Sequence, residues 1–217
     1  MAVAARRSGF TLWVAWVAAS ALAALVVESA TPGAYIPIKD INAWISAALI
    51  ALPLALLQFI ILRVLLDVST RLAALWFGLT LLAAVAATVA TVAWWQIFPL
   101  TMQWSIPLSD QGFDISYSED YFEPLFFGVA QGIVLAMILR HKSAAVVWVA
   151  VNLVAMMLVL KFFSTIISPV PIDYQLAGGR VLAVVVFQAS YAAVTGAALL
   201  ALTVRRRPAT APAPAAR

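Results

Sequence analysis

Residues 44–66 read WISAALIALPLALLQFIILRVLL, an apolar run in which the one charged residue, Arg63, lies close to the end. A helix needs ~20 mainly apolar residues to cross the hydrocarbon core of a bilayer, so this run predicts a transmembrane helix. Five further runs of the same character occur at about 10–27, 72–98, 122–139, 144–167 and 181–204. The sequence therefore predicts an all-α fold, a polytopic six-helix transmembrane bundle.

The composition agrees with this class, because 65% of the residues are apolar and 10% are charged. Those values lie outside the range of soluble domains. There is no cysteine, which excludes disulfides, thiolate catalysis and iron–sulfur clusters. We expect one transmembrane domain over 1–207, and a disordered cytoplasmic tail over 208–217, which is rich in Pro, Ala and Thr.

Charge is sorted by side of the predicted membrane. One side collects most of the bases: Arg6, Arg7, Arg63, Arg71, Arg140, Lys142, Arg205, Arg206, Arg207 and Arg217. By the positive-inside rule that side is cytoplasmic and holds both termini. Every acid except Asp67 falls on the other side. With the richness in Ala and Arg, this predicts a multi-pass protein of a bacterial cytoplasmic membrane.

The partners expected from this charge pattern are lipids. The formal net charge is +4, and the bases lie beside the apolar runs. Bases in that position attract anionic headgroups, so we expect the lipid bilayer as a partner and no nucleic acid. Small-residue faces, such as Gly128 and Gly132 in the fourth run, let helices approach closely. They predict packing within one chain, or against a membrane-protein partner or a second copy.

Eight tryptophans offer an independent guide to the interfaces, where amphipathic rings are favoured. Trp13, Trp16, Trp76 and Trp148 lie near the predicted inner ends of their helices. We expect them to be interfacial anchors. The other four lie at or beyond the outer ends: Trp44, Trp94, Trp95 and Trp104.

An internal repeat is a further hypothesis. A shift of 73 residues superimposes Gln58–Leu62 (QFIIL) on Gln131–Leu135 (QGIVL). The hairpins formed by the second and third spans and by the fourth and fifth spans would then be parallel copies, as occurs in some transporters. The alternative is a chance match, which apolar sequence of low complexity produces easily.

The same segments carry a resemblance to a known group of proteins. Leu57–Arg63 (LQFIILR) and Gly128–Leu135 (GVAQGIVL) resemble repeats in uncharacterised bacterial multi-span membrane proteins, with Phe59 and Gly132 where those repeats often carry Trp. The resemblance covers a minor part of the chain. It implies a multi-span helical architecture and no activity.

Polar side chains inside the spans are the main functional candidates. Gln58, Gln131, Asn152 and Gln188 all fall within about one turn of their span centres. If their faces converge, they form a belt of neutral amides across the bundle. Two interpretations remain open: the amides join neighbouring helices by hydrogen bonds, or they line a substrate site or permeation path.

Charged groups at the outer side form a second set of candidates. Lys161 lies inside the fifth run, about a turn from its outer end, where it either snorkels to the interface or pairs with Glu123. The long loop before the fourth span is acidic, and it predicts a solvated cap. Its carboxylates are also weak candidates for binding a hard cation, although no metal site is predicted: Asp110, Asp114, Glu119 and Asp120.

Signatures of catalysis are missing from the sequence. His141 is the only histidine and lies between two bases, so neither a histidine metal site nor a serine–histidine triad is available. We expect no catalytic residue and no cofactor. The function predicted first is a small transporter or substrate-binding membrane component. A structural or accessory subunit of a larger membrane complex is the alternative, and an intramembrane enzyme is the second alternative.

Overall fold

A computed structural model describes residues 2–30, 43–97, 122–163, 165 and 177–204. These residues form six helices: α1 (Ala2–Ala30), α2 (Ala43–Val64), α3 (Thr70–Ile97), α4 (Phe122–Leu139), α5 (Ser143–Phe162) and α6 (Ala177–Val204). All six are long and apolar enough to cross a bilayer. The prediction of an all-α protein with six membrane spans is confirmed. The predicted tail at 208–217 lies outside the described residues.

The helices differ from the predicted apolar runs mainly at their ends. α1 begins at Ala2, well before the apolar run at residue 10. Alanine and arginine are good helix formers, so the helix continues beyond the part that hydrocarbon can hold. Pro53 lies inside α2 without ending it.

The six helices close into a ring in which each contacts its neighbours in sequence and α1 contacts α6. Packing is most extensive within three antiparallel pairs: α2 with α3, α4 with α5, and α6 with α1. We call these helix pairs. The first two are hairpins in the chain, whereas the third joins the last helix to the first.

The bundle has two unlike ends. At one, which we call the turn end, residues 65–69 connect α2 to α3 and residues 140–142 connect α4 to α5. Asp67 and Arg140 have positive φ values of 49° and 50°, which lets the chain reverse tightly. The Ser69 hydroxyl accepts a hydrogen bond from the Leu72 amide at 3.4 Å and caps α3. At the opposite end, the loop end, the connections lie outside the described residues.

Side-chain exposure agrees with a protein whose outer surface meets lipid. Large apolar residues on the outside of the bundle are highly exposed, among them Leu49, Leu82 and Val146. An apolar patch of this extent is unusual on a soluble monomer, whereas lipid tails are as apolar as these side chains.

Close helix approach within the α4–α5 pair depends on glycine. A Cβ added at Gly128 would lie 3.0 Å from Cα of Val149, and one added at Gly132 would lie 3.0 Å from the carbonyl oxygen of Ala145. Both atoms belong to the α5 backbone. These two glycines therefore pack within the chain, the first of the alternatives that the sequence left open.

Candidate functional site

Three tryptophans meet inside the bundle, one from each helix pair. Trp16 of α1, Trp76 of α3 and Trp148 of α5 are at most 2% exposed. Their ring centroids lie 6.0, 6.3 and 6.1 Å apart in edge-to-face arrangements. Such contacts contribute about 0.5–1.5 kcal/mol each beyond the burial of area. We call this group the tryptophan layer.

The sequence interpretation of these three residues as interfacial anchors is wrong. A buried indole needs an acceptor for its N–H group, and each of the three finds one on the partner helix of its own pair. The distances from Nε1 are 2.9 Å to Oε1 of Gln58 for Trp76, 3.3 Å to Oε1 of Gln131 for Trp148, and 3.3 Å to Oγ1 of Thr195 for Trp16. All three helix pairs thus contain the same arrangement.

The amides then join one helix pair to the next. Nε2 of Gln131 donates to Oε1 of Gln58 at 3.1 Å and to Oγ1 of Thr80 at 3.2 Å. Nδ2 of Asn152 donates to the carbonyl oxygen of Trp148 at 2.7 Å, and the Tyr191 hydroxyl donates to Oδ1 of Asn152. The Thr195 hydroxyl donates to the carbonyl oxygen of Tyr191 at 3.2 Å and accepts from Trp16, so a continuous polar network crosses all six helices.

The pattern of buried residues repeats around the ring. Four positions after each layer tryptophan stands a buried polar residue: Ser20, Thr80 and Asn152. Three positions further along stands a buried alanine: Ala23, Ala83 and Ala155. On the partner helices, the acceptors Gln58, Gln131 and Thr195 are each followed by a fully buried leucine four residues later. The internal repeat itself stays a prediction, which this spacing agrees with.

A cavity of about 60 Å³ lies beside the network. All four predicted amides border it: Gln58, Gln131, Asn152 and Gln188. Trp16 and Trp148 of the tryptophan layer border it as well, and Glu123, at the first turn of α4, lies at the loop end. Because Glu123 is exposed, the cavity extends from the tryptophan layer towards the surface of the loop end. We call this space the chamber.

No protein-family model matches this chain, and no curated protein or solved structure is detectably similar to it. What the chamber could bind is therefore inferred from the side chains that line it. Amide, hydroxyl and indole groups can donate and accept hydrogen bonds, and Glu123 is the one acid or base among the described residues that line it.

The four amides differ in how their polar atoms are used. Both polar atoms of Gln131 and of Asn152 are hydrogen-bonded. Gln58 is 5% exposed, and its oxygen accepts two bonds, while its amide nitrogen finds no acceptor among the described residues. Gln188 is half-buried on the chamber wall, and within the same part of the chain its side chain makes no hydrogen bond. Gln58 and Gln188 therefore keep donors or acceptors for a bound molecule.

The remaining predicted residues do not line the chamber, or they lie outside the described residues. Lys161 is exposed on the last turn of α5 and does not line the chamber, so its pairing with Glu123 stays a prediction. The weak cation-binding candidates lie in a loop outside the described residues: Asp110, Asp114, Glu119 and Asp120. The described residues contain no cluster of three metal-ligating side chains.

Sequence reasoning missed the tryptophan layer, Thr80, Thr195 and Tyr191. A signal was present, because each glutamine and its tryptophan partner are separated by 18 or 17 residues. That spacing places them at the same depth in a hairpin whose turn lies midway between them. The pairing of Trp16 with Thr195 gives no such signal, since these residues are 179 positions apart.

Proposed function

We propose that this chain is a solute-binding membrane protein, either a small transporter or the substrate-binding component of one, and that the chamber is its binding site. The observation that carries the proposal is a cavity within an apolar bundle, lined by four amides and reaching the loop end at Glu123. Polar groups are expensive in the hydrocarbon region of a membrane and commonly mark substrate pathways.

Interhelical bonding accounts for only part of this polar lining. Amide contacts between membrane helices contribute about 0.6 kcal/mol on average, and Gln131 and Asn152 fit that role. Gln188 and the amide nitrogen of Gln58 do not, because they face the chamber without an acceptor in the described part of the chain. A solute with its own polar groups would satisfy them.

The proposed direction of access follows from the two ends of the bundle. The tryptophan layer fills the turn-end side of the chamber, so a solute enters from the loop end. The sorting of bases in the sequence assigns the turn end to the cytoplasm. We therefore propose a multi-pass protein of a bacterial cytoplasmic membrane, with both termini inside and the chamber open to the outside.

Intrinsic fluorescence of the purified chain in detergent provides the test, since two layer tryptophans border the chamber. A panel of small solutes, including acetamide, glycerol, methylammonium and acetate, is titrated against wild type and Gln188→Leu. We expect a saturable change with at least one solute in wild type, and its loss in Gln188→Leu without a fall in melting temperature.

Ser190→Ala is the matched control on the same helix. The Ser190 hydroxyl bonds the Val186 carbonyl oxygen of its own helix at 2.8 Å and does not line the chamber. Its substitution is expected to leave both binding and stability unchanged. Absence of binding by any solute, together with copurification of other membrane chains, would overturn the proposal in favour of an accessory subunit.

A further inference from the structure

We propose that the solute taken by the chamber is a small uncharged amide, such as acetamide. This inference rests on the proposed function and specifies its ligand class. It follows from the donors and acceptors that the chamber wall keeps once the hydrogen bonds of the polar network are made, and from the absence of a base among the described lining residues.

The side-chain amide of Gln58 has a fixed orientation. It borders the chamber, and one of its two polar atoms lies 2.9 Å from Nε1 of Trp76. An indole nitrogen can only donate a hydrogen bond, so the atom that faces Trp76 must be the glutamine oxygen. The same oxygen accepts from Nε2 of Gln131 at 3.1 Å, and Trp148 fixes the orientation of Gln131 in the same way. The nitrogen of Gln58 therefore remains for the chamber.

That nitrogen has an exceptional position among the polar atoms of the wall. Of the buried side chains that line the chamber, it is the only polar atom without a hydrogen bond in the described part of the chain. Gln58 is 5% exposed and the nitrogen is not sealed by protein atoms, so a molecule in the chamber can reach it. A buried donor without an acceptor costs free energy, which a ligand oxygen at this place would recover.

The hydroxyl groups of the wall have the opposite property. Ser20 donates its proton to the carbonyl oxygen of Trp16 at 3.2 Å. Tyr191 donates its proton to Oδ1 of Asn152. Each hydroxyl has one proton, so these two oxygens keep only lone pairs for a ligand. A carboxamide carries the matching groups, because its carbonyl oxygen can accept from Gln58 and its N–H groups can donate to such oxygens.

An uncharged ligand fits beside Gln58 better than an ion. The described lining contains no Lys, Arg or His, so an anion buried there would lose its hydration with no base to replace it. An ammonium ion has only donors and would leave the nitrogen of Gln58 without an acceptor. Glu123 lies eight residues before Gln131 on α4, about 12 Å along the helix, so its charge does not decide what binds at Gln58.

The volume of the chamber limits the size of the ligand. A cavity needs about 10–15 Å³ to hold one water molecule, so a volume of about 60 Å³ has room for roughly four to six groups of that size. Acetamide and its close analogues fall within this range, whereas a sugar or a nucleotide exceeds it.

Saturation-transfer difference NMR of the full-length chain in deuterated detergent tests the inference, with empty micelles as the background. The ligands are acetamide, thioacetamide, acetate and isopropylammonium, which have similar shapes and all carry a methyl group. Thioacetamide keeps the N–H donors but replaces the oxygen by sulfur, a weaker acceptor. Wild type is expected to bind acetamide about 2- to 12-fold more tightly than thioacetamide, the range for one neutral hydrogen bond. Both ions should bind more weakly than acetamide.

Gln58→Met and Thr80→Val form a matched pair of variants. Each keeps the approximate shape of the side chain and removes a hydrogen bond of Gln131, but Thr80 does not line the chamber. Gln58→Met has no donor left, so it is expected to bind acetamide and thioacetamide equally well. Thr80→Val should keep the wild-type ratio. The comparison of ligands on wild type is decisive even if Gln58→Met does not fold.

The outcomes separate this inference from the proposed function. Saturable binding of thioacetamide or of either ion at least as tight as that of acetamide would overturn the amide inference and keep a solute site in the chamber. A preference that survives in Gln58→Met, or that is lost equally in Thr80→Val, would also overturn it, since the donor of Gln58 would not be its source. Failure of every ligand here and of every solute in the fluorescence test would overturn the solute site itself.

Discussion

The two halves of the bundle are built on different principles, although the same six helices run through both. The half near the turn end is filled by the tryptophan layer, in which each N–H group is bonded to the partner helix of its own pair. The half near the loop end contains the chamber, whose wall includes Gln188 and Glu123. Packing in one half fixes the arrangement of the helices, which leaves the other half able to hold a cavity.

The largest expected effect comes from removing one tryptophan of the layer. Trp148→Ala deletes a fully buried ring and leaves Oε1 of Gln131 without its donor. Truncation of a buried Trp costs about 3–5 kcal/mol of stability. Unfolding in mixed detergent micelles should show this loss, with Phe187→Ala on the chamber wall as the matched control in the other half. An equal loss for both variants would remove the distinction between the halves.

A smaller effect is expected from Gln131→Leu, which breaks three hydrogen bonds at once and leaves Gln58, Thr80 and Trp148 with missing partners. Leaving buried polar groups unsatisfied costs about 1–3 kcal/mol. The matched substitution Gln188→Leu on the chamber wall should cost less than about 0.5 kcal/mol. Thermal unfolding monitored by circular dichroism measures both. A stable Gln131→Leu chain would show that the network is dispensable for folding.

Helix spacing in the α4–α5 pair is tested by Gly132→Ala. The added Cβ would lie 3.0 Å from a backbone oxygen of α5, so the helices must separate slightly. We expect a loss of about 1–2 kcal/mol, within the range for overpacking. Gly78→Ala is the control, because a Cβ there has no neighbour within 4 Å and alanine favours helix. If both variants have the same melting temperature, above that of wild type, then the close approach of α4 and α5 does not contribute to stability.

The smallest effect is expected at the turn between α4 and α5. Arg140 has a φ of 50°, a conformation that costs a branched or long side chain free energy and glycine none. Arg140→Gly should therefore raise the melting temperature slightly, by up to about 1 kcal/mol of added stability. Lys142→Gly, in the same turn, is the control, because Lys142 has an ordinary φ of −62°. A decrease for Arg140→Gly would mean that the turn depends on the side chain.

Sequence reasoning reached the helices more fully than the site. Span length and apolarity are local properties, so Trp44–Leu66 and its five counterparts could be recognised one at a time. Gln58, Gln131 and Asn152 converge only if their helices are rotated so that these residues face one another. A helix that is apolar on nearly all sides has no polar face from which its rotation could be predicted. The burial of the tryptophans could not be predicted for the same reason. Trp76 lies near a helix end, where the sequence does not distinguish an interfacial position from a buried one.

The aromatic lining of the chamber could not be predicted before the helices were assembled. Phe127 and Phe187 are typical lipid-facing residues by type, and only the ring closure of α6 against α1 brings α6 to the chamber. Glu123, by contrast, was singled out from the sequence, because it lies at the same outer level as Lys161 and is one of the two alternatives for that side chain.

The contact between α6 and α1 also bears on how the protein is made. The pairs α2–α3 and α4–α5 can form as soon as each hairpin has been inserted, because their partners are close in the chain. The indole of Trp16 can bond Thr195 only after a further 179 residues have been synthesised. At synthesis rates of about 5–20 residues per second, α1 resides in the membrane for about 10–35 s before its indole finds an acceptor. Of the six described helices, α6 is thus the one that completes both the hydrogen bonds of the tryptophan layer and the chamber wall.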